Sequence, residues 1–192
     1  GRVRKNIAII GCGRWGTFIA WYLDRIGHQV TLYGRESSKR MQKMMETREN
    51  EYVKLGETVK LTCDLACVDQ ADYVAISINS QNLSSVVTQL CQRKMQGKTV
   101  ILCMKGLDIP TGRRLSQVVS DGLGDCNDVA VWLGPGHIEE FCRGIPNCMV
   151  LDSNKELVKD ELIRNLSSDL IRFYYGMDLI GNEVGAAAKN VI

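Results

Sequence analysis

Apolar positions at the start of the chain change period twice. Residues 6–10 (Asn-Ile-Ala-Ile-Ile) form a short, nearly unbroken apolar run, and Gln29 to Tyr33 forms another. Between them Trp15, Phe18, Ile19, Tyr22, Leu23 and Ile26 recur at i, i+3, i+4, i+7, i+8 and i+11. The outer runs predict strands and the middle one an amphipathic helix, ended by Gly27. Strand, helix and strand within about 30 residues make a βαβ unit.

The alternation continues. A polar, basic helix is predicted from Ser37 to Glu49, with an irregular segment around Tyr52 to Glu57. Val59 to Thr62 predicts a strand, Asp64 to Val68 a helical turn, and Tyr73 to Ser77 a buried strand. Leu83, Val86, Val87, Leu90 and Cys91 make a helix stripe, followed by a strand from Thr99 to Cys103, a helix from Leu115 to Ser120 and a strand from Val129 to Leu133. Short connections between such elements specify an α/β fold, a doubly wound, mostly parallel sheet of Rossmann type. Asn147 to Leu151 and Ile171 to Tyr175 add C-terminal strands, as mixed or antiparallel members, around a helix from Lys155 to Leu166.

Gly185-Ala186-Ala187-Ala188-Lys189 predicts the opening of a small-residue helix. It reads as the start of a second, helical domain whose remainder is missing; a C-terminal docking helix is the alternative. The division expected is 1–177 for a dinucleotide-binding domain and 178–192 for the truncated helical one.

Composition narrows the class. With 45% hydrophobic and 24% charged residues the chain has the balance of a globular protein, and no apolar stretch approaches the roughly 18 residues of a membrane span. Gly1-Arg2-Val3-Arg4-Lys5 leads into a short strand rather than a signal-peptide core, so a cytoplasmic setting is expected. The eight cysteines form no C-x-x-C pair, and His28 and His137 lie far from the close pair Cys63 and Cys67, so no metal site is expected. Cys103 in a strand and Cys91 on a helix stripe read instead as reduced core residues. A net charge of +2 gives no argument for nucleic acid.

The chemistry concentrates after the strands. Gly11-Cys12-Gly13-Arg14-Trp15-Gly16 joins the first strand to the first helix, the setting of a dinucleotide turn. Gly11 permits the tight turn, Gly13 lets backbone approach a pyrophosphate, and Gly16 lets the helix pack on the sheet, while the helix N-terminus offers free N–H groups to the anion. A turn used only for packing is the plain alternative. After the second strand, where NAD-binding folds place an acidic residue, the chain has Gly34-Arg35, with Lys39, Arg40 and Lys43 nearby. Arg35 suits a 2′-phosphate, which favours NADP over NAD. Lys105-Gly106 ends the Thr99 to Cys103 strand and can meet an anionic or carbonyl oxygen. Gly134-Pro135-Gly136-His137 makes a rigid turn with exposed N–H groups. Lys189, desolvated by close packing, can act as a base near neutrality.

In order, Ile-Ala-Ile-Ile-Gly-Cys-Gly-Arg-Trp-Gly-Thr (7–17), Arg-Glu-Asn-Glu-Tyr (48–52), Thr-Cys-Asp-Leu (62–65), Asn-Ser-Gln (79–81), Lys-Gly (105–106), Gly-Pro-Gly-His-Ile-Glu-Glu (134–140) and Gly-Asn-Glu-Val-Gly-Ala-Ala-Ala-Lys-Asn-Val (181–191) resemble the NAD(P)-dependent glycerol-3-phosphate dehydrogenases of bacterial type. The resemblance implies cofactor contacts at Gly11, Gly13, Arg14, Trp15, Gly16, Arg35, Lys105 and Ile138. It implies substrate contacts at Lys105, Gly134, Gly136, Lys189 and Asn190, with Lys105 and Lys189 catalytic and Lys189 the proton acceptor. Arg14 stands where the family has serine, and Gly136-His137-Ile138 where it has Ser-Phe-Ala. The implied reaction interconverts sn-glycerol 3-phosphate and dihydroxyacetone phosphate for glycerophospholipid synthesis. The family's following helical domain holds the substrate phosphate, and a homodimer of the full-length enzyme is an open alternative to a monomer. Another reductase of this architecture, or an NADP-binding module without turnover, are the rival readings.

Overall fold

The computed structural model describes residues 1–176 and the backbone of residues 188–190. β1 (Asn6–Ile10), α1 (Arg14–Arg25) and β2 (Gln29–Tyr33) form the first unit, followed by α2 (Lys39–Thr47), β3 (Lys60–Thr62), a 3-10 turn Leu65–Gln70 and β4 (Tyr73–Ile76). Then come α3 (Leu83–Gln92), β5 (Thr99–Leu102), α4 (Ile109–Leu123), β6 (Asp128–Leu133), α5 (Ile138–Cys142), β7 (Asn147–Ser153), α6 (Glu156–Leu166), β8 (Ile171–Gly176) and β9 (Ala188–Asn190).

All nine strands join one sheet in the order β3-β2-β1-β4-β5-β6-β7-β8-β9. β3 through β6 are parallel, with Ile7 opposite both Val30 and Tyr73. β7 turns antiparallel to β6, β8 runs parallel to β7, and β9 is antiparallel to β8. The order reverses between β1 and β4, which opens a crevice beyond their carboxyl ends.

Strand alternation divides the core into two layers. Ile7 and Ile9 of β1 pack with Phe18, Met41, Trp132 and Leu162 on the face covered by α1, α2, α5 and α6. Ala8 and Ile10 pack with Leu90 and Val119 on the face covered by α3 and α4. Both strand faces are therefore buried, which is why β1, β4 and β5 read as continuous apolar runs. Phe18 stacks between Trp15 and Phe141 at 5.2 and 5.3 Å, carrying the α1 stripe onto α5.

Three expectations need correction. α4 begins at Ile109, well before Leu115, because Asp108 accepts a hydrogen bond from Thr111 N at 2.8 Å and Pro110 occupies the first turn. Cys91 is exposed, its thiol donating to the Gly122 carbonyl at 3.1 Å, whereas Cys103 is buried as expected. Ala188 to Asn190, expected in a helix, pair as β9 with Asn190 opposite Tyr174 and Lys189 opposite Tyr175. A β8 edge offers unpaired backbone groups to any extended segment. Gly185 to Ala187 and the boundary expected between residues 177 and 178 lie outside the described residues. Among the described residues no helix is long and apolar enough to cross a membrane.

Candidate functional site

The crevice at the strand-order reversal is a cleft of about 510 Å³ that contains the whole Gly11 to Gly16 turn. Gly11 N donates to the Tyr33 carbonyl at 2.9 Å and Thr17 Oγ1 to the Cys12 carbonyl at 3.1 Å, which lock the turn between β1, β2 and α1. Gly11 has φ +122°, and a Cβ there would lie 1.9 Å from the Ser77 carbonyl oxygen. A Cβ on Gly16 would lie 2.2 Å from the Gly11 oxygen. Only glycine meets both demands. Gly13 differs: among the described residues a Cβ there would meet nothing within 4 Å except Arg40 Nη1 at 3.9 Å. The protein's own packing leaves that space open.

Gly13 is also the N-cap of α1, supplies no side-chain cap, and is followed by a first turn without an acidic residue. The donors and positive dipole end of α1 therefore face the cleft uncompensated. Arg14, Arg35, Arg40 and Lys105 line the same cleft, and among the described residues no aspartate or glutamate does. Arg14 donates to the Tyr52 hydroxyl at 3.2 Å with its guanidinium 6.0 Å from the ring centre, and the Tyr52 hydrogen bond holds it above the usual arginine range. Trp15, buried beside the cleft, keeps its indole N–H without a hydrogen-bond partner among the described residues. An anionic dinucleotide fits this set: an open cradle over Gly13, an uncapped helix end and cations without carboxylates.

Residues 6–158 match the family described as NAD-dependent glycerol-3-phosphate dehydrogenase N-terminus. The chain belongs to that family. The NAD(P)+ glycerol-3-phosphate dehydrogenase of Parvibaculum lavamentivorans is 33% identical over 192 residues, covering 98% of this chain and 57% of that protein. The corresponding protein of a Thermoanaerobacter species is 32% identical over 195 residues, covering 97% and 57%. The crystal structure of glycerol-3-phosphate dehydrogenase from Coxiella burnetii superposes with a TM-score of 0.78 at 29% identity, over 90% of this chain and 54% of that one. The chain thus spans a little over half the length of the relatives it matches.

Within this dehydrogenase-family chain, Gly11, Gly13, Arg14, Trp15, Gly16, Arg35 and Lys105 converge on the one cleft. Gly134 and Gly136 do not line it, and Ile138 is 4% exposed in the core at the start of α5. The turn they form is followed by Glu139 and Glu140 in the first turn of α5, which place negative charge beside its free N–H groups. Lys189 and Asn190 lie on β9, and Lys105 follows β5, four strands away. At about 4.8 Å per strand that separation is about 19 Å. Sequence reasoning passed over Ser77, Asn82 and Ser85, which line the cleft from just after β4, from the 3-10 turn before α3 and from α3. A small polar residue ending the strand beside the reversal point was the available signal for Ser77.

Proposed function

We propose that this chain is the cofactor-binding part of an NAD(P)-dependent glycerol-3-phosphate dehydrogenase, interconverting sn-glycerol 3-phosphate and dihydroxyacetone phosphate for glycerophospholipid synthesis. The observation that carries the reading is the cleft at the β1 and β4 ends, with open space over Gly13, an uncapped α1 terminus and, among the described residues, cations but no carboxylates. The turn and α1 hold the pyrophosphate, Arg35 pairs with a 2′-phosphate, and Trp15 packs against the cofactor. A bound nicotinamide would supply the hydride chemistry at carbon 2 of the substrate. Lys105, exposed at the carboxyl end of β5, orients the carbon-2 oxygen and stabilises charge on it. Lys189 takes the hydroxyl proton, which requires β9 to leave the β8 edge, with Asn190 beside the substrate. The loop at Gly134 and Gly136, with Ile138 behind it, borders the substrate in that closed arrangement. The setting is cytoplasmic and the full-length assembly a homodimer.

The seat of Lys189 in β9 favours one rival, a module that binds NADP without turnover. Calorimetric titration with NADPH and NADH tests the cofactor reading. NADPH is expected to bind more tightly, and absence of binding by either removes both readings.

A further inference from the structure

Gly34, at the end of β2, is pressed from two sides. A Cβ there would lie 2.6 Å from Met41 Sδ and 2.8 Å from Cys12 Sγ, so the first turn of α2 and the glycine turn meet across this residue. Ser38, the N-cap of α2, accepts a hydrogen bond from Met41 N at 3.2 Å and places its hydroxyl 3.7 Å from the Cys12 thiol. Met41 is fully buried in the core. These contacts fix the register of α2 against the turn and leave Arg40, one residue before Met41, exposed and directed toward the cleft. Among the described residues, chain neighbours aside, its Nη1 is the only atom within 4 Å of a Cβ placed on Gly13. Arg40 forms no hydrogen bond or ion pair among the described residues, so its charge is not committed to any of them.

We infer that Arg40 is a further cofactor-binding residue, a guanidinium on α2 that clamps the dinucleotide's pyrophosphate against the N-terminus of α1. The inference rests on the cofactor reading above and assigns to Arg40 a different group from Arg35. Arg35 leaves β2 at the adenosine side, where a 2′-phosphate would lie, whereas Arg40 overhangs Gly13, where the turn leaves room for backbone to approach phosphate. A planar fork of donors opposite the helix N–H groups would hold the pyrophosphate from both sides. Arg40 then raises affinity for any dinucleotide and does not set the choice between NAD and NADP.

Titrations of ADP-ribose, NADH and NADPH into the protein, its Arg40→Gln variant and its Arg40→Lys variant test this, with thermal melting as a check on folding. ADP-ribose carries the pyrophosphate without nicotinamide or 2′-phosphate. Arg40→Gln is expected to weaken all three by a similar factor, about tenfold at low salt, and to flatten the salt dependence; Arg40→Lys is expected to recover part of the loss. Unchanged ADP-ribose affinity, or a loss confined to NADPH, overturns the inference while the cofactor reading stands. Failure of the unaltered protein to bind any of the three overturns both.

Discussion

Gly11 and Gly13 should fail differently when given a side chain. At Gly11 the backbone conformation and the Ser77 carbonyl forbid one, so substitution threatens folding. At Gly13 φ is −67° and a Cβ would meet only Arg40 Nη1, at 3.9 Å among the described residues, so a side chain there is compatible with the backbone yet fills the approach to the pyrophosphate. Gly13→Val is therefore expected to melt within a few degrees of the unaltered protein and to lose cofactor binding by at least about tenfold, measured by calorimetry. Near-normal binding would mean that the turn is a packing device. Arg35→Ala should act more selectively, reducing NADPH affinity by about tenfold and leaving NADH nearly unchanged, since a charge-assisted contact to the 2′-phosphate is worth about 1.5–3 kcal/mol before solvent screening. The glycine turn and Arg35 were legible in the sequence because backbone geometry and charge are written in residue type. Arg40 was legible only as local positive charge, since its place over Gly13 depends on how Met41 and Ser38 seat α2.

Elements with strong periodicity were read nearly to the residue, as in β1, α1 and β2, because burial on one or both faces fixes the period. α4 was read short because its first half, Ile-Pro-Thr-Gly-Arg-Arg, carries little apolar stripe and is started by a cap instead. The five-residue α5 gave no periodic signal at all. β9 was misread because pairing to an open edge is a tertiary choice that composition does not encode. One tie between elements was also invisible: His28, just before β2, is buried, with Nδ1 accepting from Lys5 N at 3.0 Å and Nε2 meeting the Asn165 carbonyl of α6 at 2.7 Å. That pattern suits the neutral ring protonated at Nε2, and burial lowers its pKa below the ordinary 6.5, with Arg2, Arg4 and Lys5 adding to the shift. Because the unfolded chain takes up the proton first, this contribution to stability is complete above about pH 6.5 and declines as pH falls below it. Denaturant titrations from pH 7.5 to 5 should show a steeper loss for the unaltered protein than for His28→Gln. Parallel slopes would show that the imidazole stays uncoupled from folding.

At the scale of the whole molecule, the sheet gathers the residues proposed for the cofactor and holds Lys189, the proposed base, apart from them. The residues proposed for the cofactor converge where strand order reverses, a consequence of topology that the alternation of strands and helices already implied. Lys105 and Lys189 do not converge, because β9 closes the sheet four strands from β5. Proton removal and hydride transfer act on the same carbon and its oxygen, so a base that far away contributes nothing, and misplacement of even about 1 Å can cost about a hundredfold. The 192-residue chain is therefore expected to bind NADPH yet oxidise glycerol 3-phosphate at a barely measurable rate. A protein extended to the full length of relatives, of which this chain covers 57%, is expected to be active by absorbance at the NADPH band. In that longer protein Lys189→Ala should lower kcat by roughly a hundredfold or more with little change in KM, since the hydroxyl proton moves only during reaction. Lys105→Ala should lower kcat and raise KM together, because a cation on the substrate oxygen acts in the ground state as well. Vigorous turnover by the short chain would place the base elsewhere, and normal kcat in the extended Lys189→Ala protein would remove that lysine from the mechanism.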